Sequence, residues 1–289
     1  MEKSKIFDIQ ISDVSATLLL TLFCHALESQ SRDPILFDPK AEDLMKKLSP
    51  ELLKSNDTLY NRLAEGKINK NLIVHISLRA KKYDEYVQNF LKQSPDGTIV
   101  NIGCGLDTRF WRIDNGKVNF YDLDLPEVIE IKKKLFEEEQ RYHMIPSSVL
   151  DYEWMSGILA KNRGPFLFLA EGVFMYLNKG DVISLVLKLQ NRFPGSELVC
   201  EVVNDRWLRK STRMYINIKM QRQLYLGKDA TFKSGLKNGE EMENWGDGIK
   251  FLDEWSYFDS HEKKLGWLQF LGKIESFRKT QWTVHYRLN

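Results

Sequence analysis

The hydrophobic positions first change rhythm along this chain at the turn Ser94-Pro95-Asp96-Gly97. Ahead of it they recur at helical spacing. Leu18, Leu19, Leu22, Phe23 and Ala26 fall on one face of a helix that Ser12 or Asp13 can cap. Arg32-Asp33-Pro34 predicts a turn, Asp38-Pro39 opens a second helix carrying Leu44, Met45 and Leu48, and Pro50 marks a break. Helical spacing resumes from Leu72 to Leu91.

After Gly97 the apolar residues come in short continuous runs. Thr98-Ile99-Val100-Asn101-Ile102 leads into Gly103-Cys104-Gly105; Val118 to Leu123 is a second run, followed by a helix over 127–139 with Val128, Ile131 and Leu135 on one face. Phe166-Leu167-Phe168-Leu169-Ala170 is a third, followed by a helix carrying Val182, Leu185, Val186 and Leu189, and Glu197 to Val203 is a further strand. Apolar strands alternating with helices predict an α/β fold, a mostly parallel sheet with both faces covered. From Asn204 to Glu262 the alternation is lost. That stretch is polar and aromatic (Trp207, Tyr215, Tyr225, Phe232, Trp245, Trp255, Tyr257, Phe258) and reads as an inserted lid. Trp282, Val284, Tyr286 and Leu288 then alternate with polar residues, predicting a terminal antiparallel strand. The expected organisation is a helical cap over 1–96, a doubly wound core over 97–203, a lid over 204–262 and a return to the core over 263–289.

Charge and composition narrow the function. The 42 Lys and Arg nearly cancel the 40 Asp and Glu, so the basic excess of a nucleic-acid binder is missing. The densest basic run, Arg206 to Arg213, has the spacing of a solvated helix face. Three widely separated cysteines suit a reducing cytoplasm, and the five scattered histidines form no metal-ligand spacing, so no metal is expected. The longest uncharged stretch, between Asp13 and Glu28, falls short of the roughly 20 residues of a membrane-spanning helix.

Candidate chemistry gathers at the strand ends. Gly103 and Gly105 follow the first strand, where backbone can approach a ligand in the crevice of a doubly wound sheet. Asp122 and Asp124 close the second strand about 20 residues later, where a carboxylate can take both hydroxyls of a ribose; capping the next helix is the alternative. Thr108 stands where a third glycine would complete a dinucleotide fingerprint, and no Walker-type phosphate loop is present. Glu171, at the end of the Phe166 strand, needs a partner, either a cofactor's amine or hydroxyl or a buried Lys or Arg.

Four segments in this order carry a resemblance: Leu78-Arg79-Ala80-Lys81-Lys82-Tyr83-Asp84; Asn101-Ile102-Gly103-Cys104-Gly105-Leu106-Asp107-Thr108-Arg109-Phe110-Trp111-Arg112; Asp122-Leu123-Asp124-Leu125-Pro126-Glu127-Val128; and Ala170-Glu171-Gly172-Val173-Phe174-Met175-Tyr176-Leu177. Together they resemble the leucine carboxyl methyltransferase family, well over residues 12–203 and loosely beyond. The resemblance implies a class I, Rossmann-like methyltransferase fold with S-adenosylmethionine as cofactor. It places Arg79 at the cofactor's methionyl carboxylate, Gly103 and Gly105 beneath its methionyl and ribose parts, Asp124 (with Asp122 as second choice) at the ribose, and Glu171 near the methionyl amine. Ser148 and Val149 fall in the adenine-binding loop, where the family usually has Asp-Leu-Arg-Asp before a Trp and this chain has Ser148-Val149-Leu150-Asp151 before Trp154. A serine can still hydrogen-bond an adenine amino group, as a neutral partner.

The expected activity is O-methylation of a carboxylate or hydroxyl on a small molecule, with S-adenosylhomocysteine released. The alternatives are methylation of a protein's C-terminal carboxylate and, in a different class, a non-catalytic cofactor-binding protein. A nicotinamide-dependent dehydrogenase is disfavoured by Thr108. Tyr176 and Trp207 are candidate pocket residues, with packing inside the lid as the competing role; no catalytic base stands out.

Overall fold

The computed structural model describes residues 13–209 and 231–289. Four helices open the chain: α1 (Asp13–Ser29), α2 (Pro39–Leu52), α3 (Thr58–Ala64) and α4 (Lys70–Gln93). Asp38 caps α2 by accepting from the Ala41 N–H at 3.0 Å, and Pro39 fits the first turn, where its missing N–H leaves no hydrogen bond unmade. Pro50 does not break this helix; it lies in the last turn, and α2 runs on to Leu52.

The core is a seven-stranded sheet in the order β3-β2-β1-β4-β5-β7-β6. Strands β1 (Thr98–Ile102), β2 (Asn119–Asp124), β3 (Tyr142–Pro146), β4 (Phe166–Ala170) and β5 (Ser196–Val203) are parallel to their neighbours. The last, β7 (Gln281–Leu288), runs antiparallel between β5 and β6 (Ile249–Trp255). The sheet is thus doubly wound and mostly parallel, with an antiparallel C-terminal strand, as the hydrophobic pattern predicts.

Two strands fall outside the sequence-based expectation. β3 was not anticipated, and β6 lies inside the stretch read as a lid, so residues 249–255 belong to the sheet. Each is an edge strand, half-exposed, and lacks the continuous apolar run of an inner strand. The helix expected over 127–139 is shorter, α6 (Pro126–Leu135), because Phe136 turns to extended backbone and buries itself.

Alternate residues of the inner strands feed two cores, as the strand period requires. Ile99, Leu167, Leu169 and Val199 face α1 to α4 and α5 (Arg109–Ile113), packing with Phe23, Leu44, Tyr83, Val87 and Phe110. Val100, Phe168, Ala170 and Cys200 face the other way, onto α7 (Glu153–Lys161) and α8 (Lys179–Arg192) through Ile158, Leu185 and Leu189. The N-terminal helices and the sheet therefore share one continuous core, and α4 lies directly over the sheet. No helix among the described residues is long and apolar enough to cross a membrane.

Candidate functional site

The carboxyl ends of β1, β2, β4 and β5 open on one side of the sheet, the side where ligands bind in doubly wound folds. At the end of β1 the chain turns through Gly103 (φ +64°) and Gly105 (φ +50°). Both glycines are required by space as well as by φ. A Cβ at Gly103 would stand 2.4 Å from Val173 Cγ2, and one at Gly105 would stand 2.7 Å from Leu18 Cδ2 of α1. The turn is tied to β2 by the Gly103 N–H, which donates to the Leu123 carbonyl at 2.7 Å.

Asp124 is the last residue of β2 and half-buried at its lip. One carboxylate oxygen accepts from the Gly105 N–H and the other from the Leu125 N–H, each at 2.8 Å. Burial raises this carboxyl above its ordinary value, and the two N–H groups offset part of the rise. Asp124 does not cap α6, whose N-cap is Leu125. Asp122 behaves differently, although it shares Asp124's side of the strand. It is 1% exposed and fully engaged, with Lys132 Nζ at 2.8 Å, Asn101 Nδ2 at 2.9 Å and the Tyr142 hydroxyl at 2.6 Å. Asp122 thus neutralises a buried lysine in the core, and Asp124 is the more open of the two carboxylates.

Arg79 reaches the site from α4. Its Nε donates to Glu171 Oε1 at 2.7 Å and its Nη1 to Glu201 at 3.0 Å, while Nη2 has no partner among the described residues. Glu171 uses its other oxygen to accept from Arg109 Nη2 at 2.6 Å. The buried-arginine option for Glu171 is thus realised twice. Burial would raise its carboxyl, but Arg79 and Arg109 bring it below the ordinary value.

The ion pairs continue inward. Arg109 holds Asp84 at 2.8 Å and Asp107 at 2.7 Å; Arg112 holds Asp84 and Asp38, both at 2.7 Å. Asp38 also lies 3.5 Å from His25 of α1 and accepts from the Thr108 hydroxyl. Burial would raise the Asp38 carboxyl, yet His25, Arg112 and Thr108 hold it well below the usual range. This chain of charges pins α1, α2, α4 and α5 to the end of β4. Sequence reading assigned no role to Asp84, Asp107, Arg109, Arg112 or Glu201. The available signal for Glu201 was a charge inside the apolar run of β5, a residue that cannot be buried alone.

Ser148 and Val149 lie in the loop after β3, both half-buried. The Ser148 hydroxyl oxygen accepts from the Leu150 N–H at 3.3 Å, and the Val149 carbonyl accepts from Trp154 Nε1 at 3.3 Å. Tyr176 and Trp207 are brought together beyond the end of β5, packing on a small cluster of Met175, Val203 and Phe232. The Tyr176 hydroxyl is pushed up to about 12 by burial and then by Glu201, so it remains a donor at neutral pH. Trp207 Nε1 is buried without a hydrogen-bond partner among the described residues. Of the other residues expected in the lid, Tyr215 and Tyr225 lie outside the described residues, as do Lys210 and Arg213 of the basic run.

Comparison with known proteins gives this arrangement a lineage. The model of the leucine carboxyl methyltransferase family matches residues 19–190. The chain is 30% identical over 253 residues to the tetracenomycin polyketide synthesis O-methyltransferase TcmP of Streptomyces glaucescens, covering 87% of this chain and 86% of that protein. It is 25% identical over 205 residues to the S-adenosyl-L-methionine-dependent methyltransferase dpfgK of Gibberella zeae, covering 68% and 67%. The fold is shared with a duf574 family protein from Streptomyces avermitilis, with a TM-score of 0.55 at 13% identity over 93% of this chain and 97% of that one. The chain belongs to the leucine carboxyl methyltransferase family.

Proposed function

We propose that this family member uses S-adenosylmethionine to methylate an oxygen, carboxylate or hydroxyl, of a small molecule. The residues on the crevice side fit that cofactor. Asp124 stands half-buried at the lip of β2, seated on the Gly105 N–H, where a ribose diol would meet it. The Nη2 of Arg79, without a partner among the described residues, offers two N–H donors to a carboxylate in a planar geometry. In the ion-pair chain Glu201, Glu171, Asp84, Asp107 and Asp38 outnumber Arg79, Arg109 and Arg112, which suits a ligand carrying a sulfonium and an ammonium. The observation that carries the reading is Asp124 on the glycine turn.

When bound, S-adenosylmethionine would supply an electrophilic methyl group, the acceptor oxygen forming the new O–C bond in line as the S–C bond breaks and S-adenosylhomocysteine leaves. The work left to the chain is positioning. The glycine turn sets how closely backbone approaches, and Asp124 and Arg79 orient the two ends of the ligand. A carboxylate acceptor is already ionised at neutral pH and needs no base; a hydroxyl acceptor does. Similarity to an O-methyltransferase of polyketide synthesis and the aromatic cluster of Tyr176, Trp207 and Phe232 favour a small, partly apolar acceptor over a protein tail.

The test is transfer of labelled methyl from S-adenosylmethionine to a panel of phenols, small carboxylic acids and a peptide ending in a free leucine carboxylate. Label on small molecules is expected. Label on the peptide alone would move the reading to protein carboxyl methylation, and binding of S-adenosylhomocysteine with no transfer would move it to a non-catalytic role.

A further inference from the structure

Glu201 stands apart from the other carboxylates of the site. Its side chain is 3% exposed, on β5 between β4 and β7, and its single ion pair among the described residues is with Arg79. Glu171, by contrast, shares Arg79 but also has Arg109 at 2.6 Å. One guanidinium therefore serves two buried carboxylates, and only one of them has a second cation.

The geometry of Arg79 sharpens this. A guanidinium is planar, and its Nη2 shares one edge with Nε and the other with Nη1. Here Nε is taken by Glu171 and Nη1 by Glu201. An anion accepted at Nη2 must therefore lie between the two carboxylates. Three anions around one cation, away from water, repel strongly. Relief is available at the carboxylate with the weakest cation support.

We propose that Glu201 is a positioning residue that takes up a proton when the carboxylate of the cofactor or its product occupies Arg79, so that ligand binding is coupled to protonation. This inference rests on the proposed methyltransferase reading and on Arg79 as the carboxylate ligand. The proton comes from solvent and goes to a Glu201 oxygen; no covalent bond changes. The groups facing Glu201 agree with this. Arg79 and Tyr83 approach from α4, Glu171 from the end of β4, Tyr176 from the turn Phe174–Tyr176, Cys200 from β5 itself, and the Gln281 amide from β7. Arg79 is the one cation in that set. Tyr83, Tyr176 and Cys200 are all raised by burial and stay neutral, so none supplies a compensating charge. Burial already raises the Glu201 carboxyl above its ordinary value, with Arg79 offsetting part of the rise. Gly172 leaves this place uncrowded, since a Cβ there would be 3.6 Å from Glu201 Oε2 and 3.9 Å from Arg79 Nη1.

The experiment is calorimetric titration of the full chain with S-adenosylhomocysteine in buffers of different ionisation enthalpy, repeated across pH. The wild type is expected to take up close to one proton per ligand in the window between the free and bound values of Glu201. There its Kd should rise with pH, by up to tenfold per pH unit. Glu201→Gln should take up none, show a flat Kd through the same window, and bind more tightly than wild type at its upper end. Zero uptake by the wild type, which needs no variant to measure, would overturn the coupling while leaving the methyltransferase reading intact. Undiminished uptake by Glu201→Gln would assign the proton elsewhere and overturn the role of Glu201. Failure of the wild type to bind S-adenosylhomocysteine would overturn both.

Discussion

The Asp124 carboxylate accepts the Gly105 N–H at 2.8 Å, joining the end of β2 to the turn after β1. The two strands are neighbours in the sheet, so this bond shapes the floor of the crevice and leaves the carboxylate half-buried there. Asp124→Ala is expected to raise the Kd of S-adenosylhomocysteine by the equivalent of about 1.5–3 kcal/mol, the scale of hydrogen bonds to a charged group. Isothermal titration measures it, and unchanged affinity would remove Asp124 from the ribose. Asp122→Ala should act on stability instead. It leaves Lys132 buried without its carboxylate, at a cost of about 3–5 kcal/mol in urea unfolding.

Gly103 and Val173 test the close approach of the two loops. Gly103→Ala places a methyl group 2.4 Å from Val173 Cγ2 at a φ of +64°, and should destabilise the fold by about 1–3 kcal/mol. Adding Val173→Ala should recover the steric part and leave the backbone strain. A double-mutant cycle by thermal or urea unfolding separates them, and strict additivity would show that the contact does not constrain the loop.

Arg79→Ala should weaken S-adenosylhomocysteine binding by about 1.5–3 kcal/mol, as a charged hydrogen bond does. Arg79→Lys should recover little of this, because an ammonium lacks the planar set of donors that holds Glu171, Glu201 and a third carboxylate. Wild-type affinity in Arg79→Lys would show that point charge alone suffices.

His75, half-buried on α4 and stacked on Tyr257 at 4.4 Å, makes stability pH-dependent. Burial, and then Arg79, lower it from 6.5 to about 3 in the folded protein. Between those values the unfolded chain binds the proton and the folded chain does not, so the His75 contribution is complete above about pH 6.5 and declines as pH falls. Its slope is at most about 1.4 kcal/mol per pH unit. Glu201 and Asp124, both raised, act in the opposite sense, so the difference between wild type and His75→Phe isolates the effect. Urea midpoints of the two proteins should diverge between pH 4 and 6.5; parallel curves would contradict the assignment.

The four inner parallel strands, the glycine turn and the acidic strand end were legible in the sequence because burial on both faces leaves a continuous apolar run and a turn with positive φ selects glycine. The family resemblance rested on those segments. The edge strands β3 and β6 were not legible: pairing on one side and partial exposure leave no such run. Nor does spacing distinguish Asp122 from Asp124, since the pleat puts both on one side. Depth distinguishes them, because Asp122 lies a step inside the strand against Lys132 and Tyr142 while Asp124 ends it at the crevice. The same holds for the charges. Sequence supplied Glu171 as a residue needing a partner and the resemblance singled out Arg79, but Glu201 and Arg109 come to them from β5 and α5. Only the packed fold decides which buried charges meet, because each must find an opposite charge within a few ångströms once water is gone.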